Sequence, residues 1–420
     1  MKIKKPEILS PAGDLERLKI ALEYGADAVY LGGKSFGMRA FAPNFDEEEL
    51  KEGISFAHSR NAKVYVTVNN LMRNQELDDL LPYLQTLAKL EVDAVILSDP
   101  GVLSLIKEHL PELCCHLSTQ ASTLNWRAAR FWKNQGIQRI ILARELSMTE
   151  IAEIKEKVDV ELEVFVHGAM CVAYSGRCLL SSYFTGRSAN SGACTQSCRW
   201  KYYLQEAKRP GEKLPIIEDE NGSYILSAYD LCMIQHIPEL VSTGVDAFKI
   251  EGRMKSVHYV ATVTRAYLLA LDAYMQNPDS YSFNPYWREE LEKVSHRPYG
   301  TGFYYGRPKQ VGAGEGNYLR NHMFVGLVKN YDANKKLVKV EQRNRFVVGD
   351  CLEIVGPNDE TPYRFVVDKI YDEKGNTIDA APHPKQIVYL PLDRAVPVNS
   401  LVRRPEAKDG ALKQLKKHTD

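Results

Sequence analysis

The stretch Gly25-Ala26-Asp27-Ala28-Val29, continued by Tyr30-Leu31, sets the pattern for most of this 420-residue chain. A glycine ends a helix, a short polar turn follows, and an apolar run then forms a buried strand. The same order recurs at Val92-Asp93-Ala94-Val95 and at Gly244-Val245-Asp246-Ala247-Phe248. A unit of helix, turn and buried strand that repeats along a chain predicts parallel βα units.

Eight short runs of β-branched or other apolar residues fit this pattern and alternate with segments of helical period. The runs are residues 7–10, 28–31, 63–68, 94–97, 116–118, 139–142, 161–166 and 247–250. Helical period is clear over residues 46–58 and 75–90. Eight strands in about 250 residues predict a closed (β/α)8 barrel of the TIM type rather than an open doubly wound sheet, which commonly has fewer strands.

From about residue 318 the pattern changes to short strands separated by turn residues. Strands are predicted at 324–328, 337–340, 351–355 and 387–390. A helix from about Val257 to Met275 is predicted before this change. We therefore expect a barrel domain over 1–317, a small all-β barrel domain over 318–405 and a basic tail over 406–420.

The spacing of the barrel strands breaks once, at an insertion over residues 168–244 between the seventh and eighth strands. Five of the eight cysteines lie in this insertion: Cys171, Cys178, Cys194, Cys198 and Cys232. The insertion starts at the carboxyl end of a strand, on the face where barrel enzymes place their active sites. Clustered thiolates are typical ligands of zinc or of an iron–sulfur cluster, and the Cys-x6-Cys and Cys-x3-Cys spacings match neither a zinc ribbon nor a simple ferredoxin.

The overall charge excludes a globally basic nucleic-acid-binding protein, because 54 basic residues balance 54 acidic ones. A local basic surface stays open, since residues 320–420 hold 18 basic residues against 14 acidic ones. We see no apolar run of signal-peptide or membrane-spanning length. Clustered cysteines in a chain of this kind favour metal or redox chemistry over disulfides, so we expect a cytoplasmic protein with no membrane partner.

One motif links the seventh strand to the insertion. The segment Glu163-x-Phe165-x-His167-Gly168-Ala169-Met170-Cys171, continued by Ser175-Gly176-Arg177-Cys178, resembles the signature of peptidase family U32. The resemblance extends to Ser10-Pro11-Ala12-Gly13-Asp14 and to Asp246-x-x-Lys249-Ile250-Glu251-Gly252-Arg253, and it covers about residues 6–310.

The family name suggests a collagenase-like protease, whereas characterised members imply oxygen-independent hydroxylation of a tRNA wobble uridine, a ribosomal RNA cytidine or a ubiquinone precursor. The resemblance also implies a 4Fe–4S cluster and, for the RNA enzymes, prephenate as a co-substrate. A barrel followed by one β module is most similar to the tRNA branch. That branch implies formation of 5-hydroxyuridine and the anticodon loop of tRNA as a partner, and some relatives imply a second U32 subunit or a homodimer.

The resemblance places the cluster ligands at Cys171, Cys178, Cys194 and Cys232, with Cys198 as an alternate ligand. The number of ligands bears on the chemistry. Four thiolates would leave every iron bound by protein and favour electron transfer, whereas three would leave an open iron able to act as a Lewis acid.

Polar residues at the strand ends are the candidates for catalysis and binding, because that is where barrel enzymes place them. We assign catalytic roles to His167, Glu251 and Arg253. We assign binding of the co-substrate to Arg39 and Arg177, whose guanidinium groups offer paired donors to phosphates and carboxylates, and to Lys249. The position of His167 is equally consistent with a structural histidine that orients the cysteine loop. Lys249 could equally form an ion pair with Glu251.

Other interpretations stay open. A peptidase would use Cys171 and His167 as a thiolate–imidazole pair, or a metal-bound water, but a Cys/His pair leaves four cysteines unexplained. A non-catalytic RNA-binding protein with structural zinc would explain the cysteines but not the polar strand ends. The stretch Arg199-Trp200-Lys201-Tyr202-Tyr203 suits either stacking on an unpaired base or an amphipathic strand packed on the barrel.

Overall fold

The computed structural model describes residues 4–34, 36, 44–171, 177–187, 189, 194–200, 203–204, 214–215, 229–306, 319–359 and 361–406. The chain divides into two compact units. The first comprises Met1–Arg288 and His296–Tyr318, and the second comprises Glu289–Ser295 and Leu319–Asp420. The segment 289–295, which the sequence predicts as part of the barrel domain, belongs to the second unit.

The strands of the first unit are β1 (Glu7–Pro11), β2 (Ala28–Leu31), β3 (Lys63–Val68), β4 (Ala94–Leu97), β5 (Cys115–Leu117), β6 (Arg139–Ile141), β7 (Glu161–Gly168), β8 (Tyr203–Leu204), β9 (Leu214–Pro215), β10 (Asp230–Cys232), β11 (Ala247–Ile250) and β12 (Tyr299–Gly300). Strands β1 to β7 follow one another in parallel order, and β11 pairs in parallel with both β7 and β1. The eight strands therefore form the closed (β/α)8 barrel that the sequence predicted.

Burial on both faces explains why the barrel strands could be predicted from the sequence. Every residue of β2, β4 and β11 is buried. A parallel strand covered by helices outside and by side chains inside needs apolar residues at successive positions, which appear as uninterrupted apolar runs. All eight predicted runs coincide with barrel strands.

The helices are α1 (Leu15–Glu23), α2 (Glu47–His58), α3 (Asn74–Lys89), α4 (Pro100–His109), α5 (Trp126–Asn134), α6 (Met148–Lys157), α7 (Leu180–Thr185), α8 (Ile237–Ser242), α9 (Val257–Gln276) and α10 (Pro285–Glu292). Side-chain caps fix several starts. Asp46 and Glu49 form a capping box at α2, as do Ser147 and Glu150 at α6. None of the helices in the described part of the chain is both long and apolar enough to cross a membrane.

An ionic network crosses the barrel interior. Arg139 on β6 places Nη1 2.7 Å from Glu7 Oε1 on β1 and 3.4 Å from Glu163 Oε2 on β7. Lys249 on β11 places Nζ 2.7 Å from the other oxygen of Glu163. Opposite charges and hydrogen bonds compensate the cost of burying these groups. The network joins β6 to β1, β7 and β11, and the pairing of β11 with β1 and β7 closes the barrel.

The second unit is an antiparallel half-barrel with its own core. Its strands are β13 (His322–Asp332), β14 (Leu337–Gln342), β15 (Phe346–Val347), β16 (Cys351–Val355), β17 (Tyr363–Val366), β18 (Ile370–Tyr371), β19 (Thr377–Ile378), β20 (Ala380–Ala381), β21 (Ile387–Pro391) and β22 (Leu401–Pro405). Eight of them form one sheet in the order β17-β16-β22-β13-β14-β21-β18-β19, and β15 pairs with β20. The predicted all-β module is confirmed. Of the predicted tail, 406–420, only Glu406 lies within the described residues.

A buried ion cluster holds the segment 289–295 in the second unit. Arg403 and Glu353 are fully buried, and Arg403 Nε donates to Glu353 Oε2 at 3.0 Å. Arg403 Nη2 lies 2.8 Å from both carboxylate oxygens of Glu290, and Lys293 Nζ lies 2.7 Å from Glu290 Oε1. Although burial raises the pKa of Glu290, the charges of Arg403 and Lys293 outweigh it and lower that pKa to about 2.

We expect Glu353→Gln to destabilise the second unit by about 3–5 kcal/mol, because it leaves the fully buried Arg403 without one of its two carboxylates. Hydrogen–deuterium exchange of peptides from β13, β16 and β22 in the full chain measures this loss. Asp393→Asn is the matched control, since Asp393 is exposed and pairs with the surface residue Lys336 at 2.8 Å. Equal protection in Glu353→Gln and the control would contradict the prediction.

Candidate functional site

The short strand β10 brings two predicted site residues together at the carboxyl end of the barrel. It pairs antiparallel with the end of β7, so that Cys232 lies opposite His167 and Leu231 opposite Gly168. Gly168 has a φ of 108°, and a Cβ there would lie 2.4 Å from the carbonyl oxygen of Glu251. The glycine after His167 is therefore required for β7 to pass this close to the end of β11.

Aromatic side chains surround the His167 ring. The ring centroid lies 5.9 Å from that of Tyr259, 5.6 Å from that of Tyr267 and 5.2 Å from that of Tyr299. The Tyr267 hydroxyl is 3.5 Å from Nδ1, and the Tyr299 hydroxyl is 3.5 Å from Nε2. Both ring nitrogens face tyrosine hydroxyls, an arrangement that does not favour pairing with the Cys171 thiol.

This setting keeps His167 neutral. Burial lowers the pKa of His167 well below its usual range, and the neighbouring His296, Lys255 and Arg288 lower it further. A neutral imidazole between two hydroxyls accepts one hydrogen bond and donates another. The geometry is thus compatible with a base or with a group that orients the end of β7.

Polar groups also converge on Cys232, which is buried. Burial raises the pKa of its thiol. The charge of Arg288, the backbone N–H of Ile234 and hydrogen bonds with Tyr267 and Arg288 act in the opposite direction. Cys232 is therefore a thiol in a dry site that already contains donors suited to a thiolate.

The other predicted ligands lie in the insertion. Cys171 and Cys194 are exposed, Cys178 and Cys198 are half-buried, and none of the four forms a disulfide. An all-thiol donor set fits the chemistry of an iron–sulfur cluster or of zinc. Within the described ranges, however, no three His, Cys, Asp or Glu side chains are placed to hold a metal ion. The ligand assignment therefore stays a prediction.

Hydrogen bonds fix parts of the insertion to one another and to the barrel. The Ser181 hydroxyl on α7 lies 3.0 Å from the Thr195 hydroxyl and accepts from the Thr195 N–H at 3.1 Å. This ties the helix that follows Cys178 to the segment that contains Cys194 and Cys198. Arg144 donates to the Ala169 carbonyl at 2.9 Å, two residues before Cys171.

Arg253 lies buried just after β11. Its Nη1 donates to Thr67 Oγ1 at 2.8 Å, and its Nη2 donates to Asn44 Oδ1 at 3.1 Å. Gly32, which follows β2, leaves room for this guanidinium, because a Cβ at Gly32 would lie 2.7 Å from Nη2. Arg253 therefore joins the end of β11 to β3 and to the segment before α2.

The remaining predicted residues have different surroundings. The Glu251 carboxylate is half-buried and lies 3.4 Å from the Tyr30 hydroxyl, while the Glu251 carbonyl accepts from Tyr259 at 2.7 Å. Lys249 pairs with Glu163 inside the barrel rather than with Glu251 on the rim. Arg177 is exposed, and Arg39 lies outside the described residues.

Comparison with known proteins agrees with the two-unit architecture. The peptidase family U32 model matches residues 13–313, and the model of the peptidase family U32 C-terminal domain matches residues 320–403. This chain belongs to peptidase family U32.

Individual relatives of the U32 chain carry names from RNA modification. A Bacillus subtilis protein named tRNA hydroxylation protein P1 is 45% identical over 96% of this chain and 95% of its own length. Escherichia coli tRNA hydroxylation protein P is 37% identical over 94% of this chain and 95% of its own length. Escherichia coli 23S rRNA 5-hydroxycytidine C2501 synthase is 36% identical over 76% of this chain but only 48% of its own length.

Sequence reasoning missed the residues around His167 in this U32 chain. Tyr259 and Tyr267 come from α9, Tyr299 from β12, and Arg288 from α10, and no motif marks any of them. They reach the site because β10 and β12 extend the sheet beyond the barrel and α9 packs behind it. The only signal in the sequence is the high tyrosine content of the chain, 23 residues, which does not specify positions.

We expect Gly32→Ala to destabilise the U32 chain by about 1–3 kcal/mol, because the new methyl group overlaps the buried Arg253 guanidinium. Chemical denaturation of the full chain measures this. Gly101→Ala is the control, since Gly101 lies in the first turn of α4, where the nearest atom to a new Cβ is the Asp99 carboxylate at 3.1 Å. A Gly32→Ala chain as stable as the control would show that the Arg253 pocket is less tightly packed than described.

Proposed function

We propose that this chain is an RNA-modifying enzyme that hydroxylates tRNA. The observation that carries the proposal is the match to two tRNA hydroxylation proteins over 96% and 94% of the chain, which spans both units. Both proteins are in turn covered over 95% of their length, so the similarity is one of whole proteins. A tRNA substrate would place the protein in the cytoplasm.

The coverage supports tRNA over ribosomal RNA. This chain spans only 48% of the ribosomal RNA enzyme, which therefore has a large part with no counterpart here. The Bacillus subtilis and Escherichia coli tRNA hydroxylation proteins, covered over 95% of their length, have no such excess. Within this proposal, the reaction is oxygen-independent formation of 5-hydroxyuridine at the wobble position, with the anticodon loop entering the carboxyl end of the barrel.

Residues at that end have separable proposed roles. Arg177 is exposed and free to meet the carboxylates of prephenate, the proposed co-substrate, since a guanidinium can bind a carboxylate through two donors. Arg253 instead joins the end of β11 to β3 through Thr67 and to the segment before α2 through Asn44. His167 and Glu251 line the end of β7 and β11, where a base held outside its stack can be oriented and kept from water.

A 4Fe–4S cluster is the proposed cofactor, held by Cys171, Cys178, Cys194 and Cys232, with Cys198 as the alternate ligand. When bound, it would supply one-electron chemistry. Arg288 and the Ile234 N–H, which lower the pKa of the Cys232 thiol against the effect of burial, would act as its outer hydrogen-bond donors.

We expect the chain purified without oxygen to contain iron and sulfide and to be brown, and Cys232→Ala to lose most of the iron. Metal analysis and visible absorption measure both. Cys351→Ala is the matched control, since Cys351 is an exposed thiol of the second unit and should leave the iron content unchanged. Stoichiometric zinc without iron would contradict the cluster and favour the structural-zinc alternative.

We expect tRNA from a strain that lacks this gene, and any parallel pathway, to lose wobble 5-hydroxyuridine. Mass spectrometry of digested tRNA measures the nucleoside, and the wild-type gene supplied in trans should restore it. Loss of 5-hydroxycytidine from ribosomal RNA with unchanged tRNA would overturn the substrate assignment. Unchanged RNA together with cleavage of a collagen-like peptide by the purified chain would favour the peptidase alternative.

A further inference from the structure

The helix α7 exposes large apolar side chains beside the predicted cluster ligands. Tyr183 is 85% exposed, and Leu179, the residue before the helix, is 70% exposed. Phe184 is 48% exposed, and its ring meets that of Tyr183 edge to face at a centroid distance of 5.4 Å. Single exposed apolar residues are ordinary, but a contiguous group marks a surface that binds something. We call Leu179, Tyr183 and Phe184 the α7 patch.

The α7 patch has a fixed place in the insertion. Ser181, on the buried side of α7, is 1% exposed and holds the helix to Thr195 through its hydroxyl. In the sequence, the patch lies between Cys178, which precedes α7, and Cys194. Trp200, which follows the same cysteine segment, is a further exposed aromatic side chain.

The sequence around the patch carries charge of one sign only. Residues 164–205 contain no aspartate or glutamate, whereas the whole chain has 54 acidic residues among 420. The same stretch contains Arg177, Arg187, Arg199 and Lys201. Arg177 and Arg187, the two of these whose side chains the structure describes, are both exposed. An anionic partner would therefore meet cations of this stretch and no acidic side chain of the same stretch.

We propose that the α7 patch is a stacking surface for an unpaired nucleobase of the RNA substrate, next to the base that enters the barrel. The inference rests on the proposed function and adds the residues that hold the loop. Aromatic faces bind bases of any sequence, and neighbouring arginines bind the phosphates between them. A protein partner would use the apolar area but has no requirement for the aromatic face, which makes the two occupants separable.

Substitutions at Tyr183 separate them. Fluorescence anisotropy measures binding of a labelled anticodon stem–loop RNA to the full chain purified without oxygen. Tyr183→Leu keeps an apolar side chain and removes the ring, and we expect about 10-fold weaker binding, the size of one lost base–aromatic stack. Tyr183→Phe keeps the ring and should bind like wild type. Phe131→Leu, at a residue of α5 that is 55% exposed, should also bind like wild type.

Each other outcome overturns the inference in an identifiable way. If the wild-type chain binds the stem–loop and Tyr183→Leu binds it equally well, the α7 patch does not stack on the RNA although the proposed function stands. If Tyr183→Leu instead changes the oligomeric state in analytical ultracentrifugation with unchanged RNA affinity, the patch is a contact between subunits. If the wild-type chain binds neither the stem–loop nor whole tRNA, the proposed function fails, and the inference fails with it.

Discussion

The pairing of β11 with both β1 and β7 is the constraint on which the first unit depends. It closes the barrel, and the buried Glu163 supports it by binding Lys249 on β11 and, more distantly, Arg139 on β6. Because β7 is fixed in this way, its carboxyl end can take a second partner, β10. That pairing sets Cys232 opposite His167, so the stability of the closed barrel and the geometry of the candidate site have the same origin.

The barrel could be predicted because its strands obey a simple rule. Strands buried on both faces must be apolar at successive positions, and residues 28–31, 94–97 and 247–250 were readable for that reason. The all-β fold of the second unit could be predicted from its alternating short strands and turns. The short segment 289–295 was not, since its membership depends on Glu290 and Lys293 reaching the buried Arg403 and Glu353, contacts that span most of the module in sequence.

The candidate site was predictable in position but not in its surroundings. Strand ends located His167 and Arg253, and the cysteine insertion located Cys232. What these groups do is decided by partners from distant segments. Tyr267 and Tyr299 keep His167 enclosed, Thr67 and Asn44 hold Arg253, and Glu163 engages Lys249. No local pattern encodes such contacts, because they arise only when the barrel closes.

The insertion supports the proposed function through more than its cysteines. It combines thiols, exposed rings and exposed cations in a segment that starts at the barrel face where chemistry is expected, and this combination suits an unpaired stretch of RNA. Photo-crosslinking tests this account most directly, using an anticodon stem–loop with 4-thiouridine at the wobble position and mass spectrometry to map the attached peptides. The account predicts crosslinks to the ends of β7 and β11 and to the insertion around α7. Crosslinks confined to the amino ends of the barrel strands, or no crosslink at all, would contradict it.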